Sequence, residues 1–208
     1  MKKKLIVLGD GGHARAVVDV ALATGEFEIK AVVGIDPVNE KNWSKHGIAW
    51  VHDSNLDDTA ESETFAIVGI GQIRDPEPRV RAYERLTDTG FVMATLISPN
   101  AYVSKSADIG KGSVVMHGAV VNAHARVGEN TIINSMALVE HDAVVGSHTH
   151  VSTGSVVNGE SRVGEKTFIG SGALLKQGIS IGSNCFIAMG SVVSEDVSDG
   201  VRASGAGR

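Results

Sequence analysis

The chain has 208 residues, 42% of them hydrophobic and only 4% aromatic, so a packed core is attainable but Val, Ile, Leu and Ala must fill it. Its one cysteine, Cys185, excludes an internal disulfide and a multi-cysteine metal site, and no apolar run approaches the ~20 residues of a membrane-spanning helix. Nineteen basic against 24 acidic residues leave a net charge of −5, which offers nucleic acid or an anionic membrane no general attraction. An anionic ligand must then be held by local backbone amides and a few side chains.

The first apolar run, Leu5–Leu8, is too short for a signal peptide and breaks into Gly-Asp-Gly-Gly, so a cytoplasmic protein is expected. Residues 1–95 alternate strand and helix patterns: strand Lys4–Leu8, helix His13–Thr24, strand Ile29–Val33, strand Phe65–Val68, a helix from Arg79 to Thr89 and a strand over Phe91–Ala94. That alternation predicts an α/β domain with a mainly parallel sheet, a Rossmann-like half. The polar stretch Pro37–Asp58 carries no clear period.

From Ile97 the pattern changes, and residues 96–208 form the second expected domain. An aliphatic residue recurs at every sixth position from Val103 through Val139, Val157 and Leu175 to Val193, sixteen hexads without a break. Four places after each stands a small or β-branched residue, such as Ala119, Ala137 or Ser155. A short fixed period of this kind marks a β-solenoid. Three hexads close one triangular turn of 18 residues, stacking equivalent positions about 4.8 Å apart.

The position before each aliphatic residue should face outward, yet two of its three columns are apolar. One reads Val120, Leu138, Val156, Leu174, Val192; another reads Val114, Ile132, His150, Phe168, Phe186. Either the corners bury these side chains within the coil, or two faces meet neighbouring subunits, as a closed homotrimer requires.

Two stretches carry candidate chemistry. Gly9-Asp10-Gly11-Gly12-His13 follows a strand and opens a helix, where glycines admit a phosphate to backbone amides and the helix end favours anions. Asp36, just past the next strand, is placed to meet a ribose hydroxyl. The same pattern serves a plain strand–helix turn, and the domain is too short for two mononucleotide halves, which disfavours a nicotinamide dehydrogenase. In the coil, Glu140-His141-Asp142 puts an imidazole in an outward column between Ala123 and Gly159, with space beside it for a ligand. Either acid could hold the ring and raise its basicity. The other histidines, at 117, 124, 148 and 150, lack the close pair that hexapeptide-coil carbonic anhydrases use for zinc, so no metal is expected.

Gly-Asp-Gly-Gly-His, joined to Val139-Glu140-His141-Asp142-Ala143-Val144-Val145-Gly146 in a hexapeptide coil, resembles the bacterial nucleotide-sugar 4-amino N-acetyltransferases, often grouped with sialic acid O-acetyltransferases. The resemblance covers nearly the whole chain and implies a left-handed parallel β-helix. It implies acetyl-CoA as co-substrate, a nucleotide-linked amino sugar as acceptor, and a role in O-antigen or other surface glycan synthesis. It maps the catalytic histidine to His141 and the acid that tunes it to Asp142, acceptor binding to Gly11, Gly12, His13, Asp36 and Gly69, and acetyl-CoA binding to His150 and, by position, Asn134. Gly159, one coil from His141 in the same column, is the expected oxyanion donor, and Ser171 and Met189 are further candidates for acetyl-CoA binding. Asp142, rather than Glu, beside the histidine resembles the GDP-perosamine branch most; a UDP-linked 4-amino-4,6-dideoxy sugar, sialic acid O-acetylation and a non-catalytic sugar-nucleotide scaffold are the alternatives. The tail Ser204-Gly205-Ala206-Gly207-Arg208 departs from the family's usual Gly-x-Pro-Ala ending.

Overall fold

The structure, a computed structural model, describes residues 2–60 and 63–203. The chain divides into two compact units, one of residues up to 71 together with 77–96, the other of residues 72–76 together with 97 onward.

In the first unit, β1 (Lys3–Leu8), β2 (Phe27–Gly34), β3 (Trp50–His52), β4 (Phe65–Val68) and β5 (Val92–Met93) form one sheet in the order β3-β2-β1-β4-β5. Every pairing is parallel. The sheet is buried where its aliphatic residues cluster: Ile6, Leu8, Val33, Ala66 and Val68 join Leu56, Leu86 and Phe91 in one core. Helix α1 (Gly12–Ala23) buries Ala14, Val17, Val18, Val20 and Ala21, the stripe that a 3.6-residue period brings to one side. The order of the strands reverses at β1, between β2 and β4. A crevice beyond the carboxyl ends of the strands is the expected ligand position at such a reversal.

The stretch without a clear period holds real elements. Asp36 accepts the Val38 N–H at 3.0 Å and caps the 3₁₀ turn Pro37–Asn39, which leads into α2 (Glu40–Ser44) and then β3. Pro37 and the capping Asp36 are the local signals for that start. Helix α3 (Glu77–Asp88) begins two residues earlier than its apolar pattern suggests, with Glu77 and Pro78 in the first turn. The final strand is shorter than expected, because only Val92 and Met93 pair with β4.

The second unit is a three-faced parallel coil of two-residue strands. Register follows the 18-residue arithmetic along most of the coil, where Val121 pairs with Val139, Val127 with Val145, and Ile133 with Val151, but the last turn is two residues shorter, with Ile181 opposite Val197 and Phe186 opposite Arg202. The inward aliphatic column is a continuous core from Val115 to Ile187. At one corner the small positions form a hydroxyl ladder. Thr149 Oγ1 donates to the Gly164 carbonyl at 2.8 Å and accepts the Thr167 N–H at 3.1 Å. Thr131 and Thr167 donate in the same way to Gly146 and Gly182. Glycine stands opposite because the turns close tightly there: a β-carbon on Gly146 would sit 2.7 Å from the Glu165 nitrogen.

The two apolar outward columns are not alike. Val114 and Ile132 are fully buried and Phe168 nearly so, whereas Leu138 and Val156 are half-buried and Tyr102 and Val192 are about 60% exposed. One apolar face is therefore open, not two. In the buried column His150 meets Phe168 edge-on, Phe168 stacks on Phe186, and the Arg202 guanidinium lies 4.8 Å from the Phe186 ring centre.

Candidate active site

At the coil corner after strand Leu138–Val139, the chain turns through Glu140-His141-Asp142-Ala143. Asp142 takes the left-handed conformation, φ 60°, which Asp tolerates better than most residues. Its carboxylate Oδ2 lies 2.9 Å from His141 Nδ1. Glu140 does not hold the ring; its carboxylate accepts the backbone N–H of His141 at 3.0 Å and fixes the turn. The contact with Asp142 places a proton on Nδ1 and leaves the Nε2 lone pair outward. Both side chains are about half exposed. The imidazole is held more basic than usual, first by the Asp142 hydrogen bond and then by the negative charges of Asp142, Glu140 and Glu160.

One coil further on, Gly159 lies under the ring. A β-carbon at this position would stand 2.8 Å from both Cε1 and Nε2 of His141. Among the described residues no acceptor takes the Gly159 N–H. The corner thus presents an open nitrogen base beside an open amide donor.

The residues assigned to acetyl-CoA lie at the other end of the same strand, on the corner before Leu138–Val139 and on the adjoining face. His150 is buried and both its nitrogens are engaged: Nδ1 lies 2.6 Å from the Gln72 carbonyl oxygen and Nε2 lies 3.0 Å from Asn134 Nδ2. A carbonyl can only accept, so Nδ1 carries the proton and Nε2 accepts from Asn134. Asn134 Oδ1 in turn accepts the Ser135 N–H. His150 therefore orients Asn134 rather than offering a free nitrogen of its own. Ser171 shares a hydrogen bond with Ser152, and Met189 is 78% exposed. Within one chain the His141 group and the Asn134–His150 group occupy opposite edges of one face.

In the first unit, Gly11, Gly12, His13, Asp36 and Gly69 all line one cavity of about 360 Å³ at the carboxyl ends of β1, β2 and β4. Among the described residues no side chain caps α1, so its positive end is open to an anion there. Among the further wall residues, Asp10 lies inside the glycine motif but carried no role in the sequence, and the half-buried Asp53 and Ile70 were not singled out there. Asp53 is paired with Arg85 at 2.7 Å. The tail at Ser204–Arg208 lies outside the described residues.

Among the described residues, no helix is long and apolar enough to cross a membrane, and no group of three or more His, Cys, Asp or Glu side chains is arranged for a metal ion.

Residues 4–86 match the PglD N-terminal domain, and residues 161–195 match the hexapeptide repeat of succinyl-transferase. No curated protein sequence matches the chain. The acetyltransferase domain of PglB from Neisseria gonorrhoeae, also solved with acetyl coenzyme A, is 33% identical with a TM-score of 0.85; the match covers 96% of this chain and 95% of that one. PerB from Caulobacter crescentus, solved with CoA and GDP-perosamine, is 33% identical with a TM-score of 0.86, over 94% and 91% of the two chains. WeeI from Acinetobacter baumannii shares the fold at 18% identity, with a TM-score of 0.79 over 95% of each chain. An α/β parallel-sheet unit followed by a left-handed parallel β-helix is thus the shared architecture, and the chain belongs to the family of acetyltransferases that join a PglD-type N-terminal domain to a hexapeptide-repeat coil.

Proposed function

We propose that the protein transfers the acetyl group of acetyl-CoA to the 4-amino group of a nucleotide-linked dideoxysugar, with GDP-perosamine the favoured acceptor, in the cytoplasmic synthesis of a surface glycan. The observation that carries this reading is the His141 imidazole, oriented by Asp142 and seated over Gly159. PerB's structure with CoA and GDP-perosamine supports the choice of acceptor.

The chemistry follows from charge development. Only the free-base amine attacks a thioester. As its lone pair forms the C–N bond, the nitrogen becomes acidic and His141 Nε2 takes the proton, an effect typically worth ~10²–10⁴-fold. Asp142 stabilises the resulting imidazolium. The carbonyl oxygen gains negative charge, and the Gly159 N–H is the donor that meets it, worth roughly 2.7–4 kcal/mol in comparable sites. Collapse of the tetrahedral intermediate breaks the C–S bond, and the proton on His141 passes to the departing CoA thiolate. No acyl-enzyme is needed, so both substrates are bound together.

The acceptor's nucleotide is assigned to the first unit's cavity, with its diphosphate at the start of α1. The separation of the His141 and Asn134–His150 corners supports a homotrimer in which one subunit's base meets its neighbour's acetyl-CoA residues. The open face of Tyr102, Leu138, Val156 and Val192 is the surface for that assembly. The test is an acetyl-transfer screen with purified protein over GDP- and UDP-linked 4-amino sugars and free sialic acid. Transfer to a GDP- or UDP-linked 4-amino sugar is expected; acetylation of sialic acid alone, or of nothing, rejects the assignment.

A further inference from the structure

Asp10 is the one residue of the glycine motif with a polar side chain before His13, and several contacts fix it. Its carboxylate Oδ2 accepts from Trp50 Nε1 at 3.1 Å and from Asn39 Nδ2 at 3.2 Å. Its backbone carbonyl accepts from Trp43 Nε1 at 3.2 Å. Gly34, the last residue of β2, makes the room: a β-carbon there would overlap the Asp10 carboxylate. Three donors from the segment after β2 thus converge on one residue of the loop after β1. Trp43 is itself buried, so part of this support belongs to the core.

The second oxygen is not consumed. Among the described residues no donor engages Oδ1, while Asp10 lines the cavity together with Asp36 and the glycine loop. Among the described residues lining that cavity there is no Lys or Arg. Phosphate oxygens are repelled by a carboxylate and have the α1 N-terminus to go to. The group that meets Asp10 must therefore be a neutral donor close to the phosphates. Along a nucleotide the first such donors are the ribose hydroxyls. Asp10 projects from the residue just before Gly11 and Gly12 toward the end of β2, the direction in which a ribose continues from a phosphate at the helix start.

We propose that Asp10 is a specificity-determining residue that accepts a hydrogen bond from the ribose 2′-hydroxyl, so that the site selects ribonucleoside diphosphate sugars against 2′-deoxyribonucleotide ones. The inference rests on the reading that the acceptor's nucleotide occupies this cavity. Asp36 completes the wall, with one of its oxygens used by the Val38 N–H.

Calorimetric binding of GDP, UDP and their 2′-deoxy analogues to the full chain tests both statements separately. The wild-type protein should bind the better ribonucleotide about 10-fold or more tighter than its 2′-deoxy form, the size expected for one hydrogen bond to a charged group. Asp10→Asn should weaken the ribonucleotide to the level of the deoxy analogue and leave the deoxy analogue within about 2-fold. Gly34→Ala, which displaces the carboxylate without removing it, should do the same. Equal wild-type binding of the ribo and deoxy forms overturns the proposal, whether or not the variants fold. Discrimination that survives in folded Asp10→Asn also overturns it. No binding of any of the four nucleotides rejects instead the placement of the nucleotide in this cavity.

Discussion

The imidazole of His141 lies over Gly159, so close that a methyl group on residue 159 would stand 2.8 Å from Nε2. Bare backbone under the ring gives the imidazole its place and keeps the adjacent N–H uncovered. Gly159→Ala should therefore push the imidazole off its position and lower kcat by about 10²-fold, the scale of losing an aligned base or oxyanion donor. Gly159 does not occupy the left-handed region, so the coil should tolerate the methyl. Steady-state kinetics beside a thermal melt check this: kcat should fall while Tm moves by only a few degrees.

Asp142 raises the basicity of His141 through a direct hydrogen bond. A general base works in its neutral form, so kcat/KM should rise with pH through a limb lying above the usual imidazole value of about 6.5. Asp142→Asn removes the main cause, and the limb should move down toward that value. Its rate loss should be smaller than that of His141→Asn. The charges of Glu140 and Glu160 also raise the value, so the limb should fall somewhat at high salt.

The open apolar face predicts a dependence of activity on assembly. Val156→Asp places a charge in the middle of the column formed by Val120, Leu138, Val156 and Leu174. Light scattering should show the wild type as a trimer and the variant as a smaller species with acetyl transfer lost. A wild type that stays monomeric at micromolar concentration would remove the shared site.

The hydroxyl ladder predicts stability effects without catalytic ones. Thr149→Val keeps the shape but leaves the Gly164 carbonyl and the Thr167 N–H buried without Thr149 Oγ1. A loss of about 1–3 kcal/mol is expected by chemical denaturation, with kcat unchanged in the folded fraction.

The coil was legible because its physics is repetitive. Each aliphatic residue at a sixth position has the same neighbours one turn away, so one rule places all of them, and His141, Ala123 and Gly159 fall into one column by counting. What the period cannot show is which outward column is covered, since Val114 and Val120 look alike in sequence and differ in burial. His150 illustrates the same limit. Its partners, the Gln72 carbonyl and Asn134, lie 78 and 16 residues away, and only the fold shows that both ring nitrogens are used. Asp10 was hidden for a related reason: its role depends on Trp50, Asn39 and Gly34, which lie in or beside the stretch with no clear period.

If His141 takes the amine proton, the pH dependence of acetyl transfer by His141→Asn will show it. Asn keeps a polar group near the Nδ1 position but places nothing at Nε2 and cannot serve as a base near neutral pH. kcat/KM should drop by about 10²-fold or more and the limb seen in the wild type should disappear, with acetyl-CoA still bound. Near-normal turnover with the wild-type limb intact would contradict it.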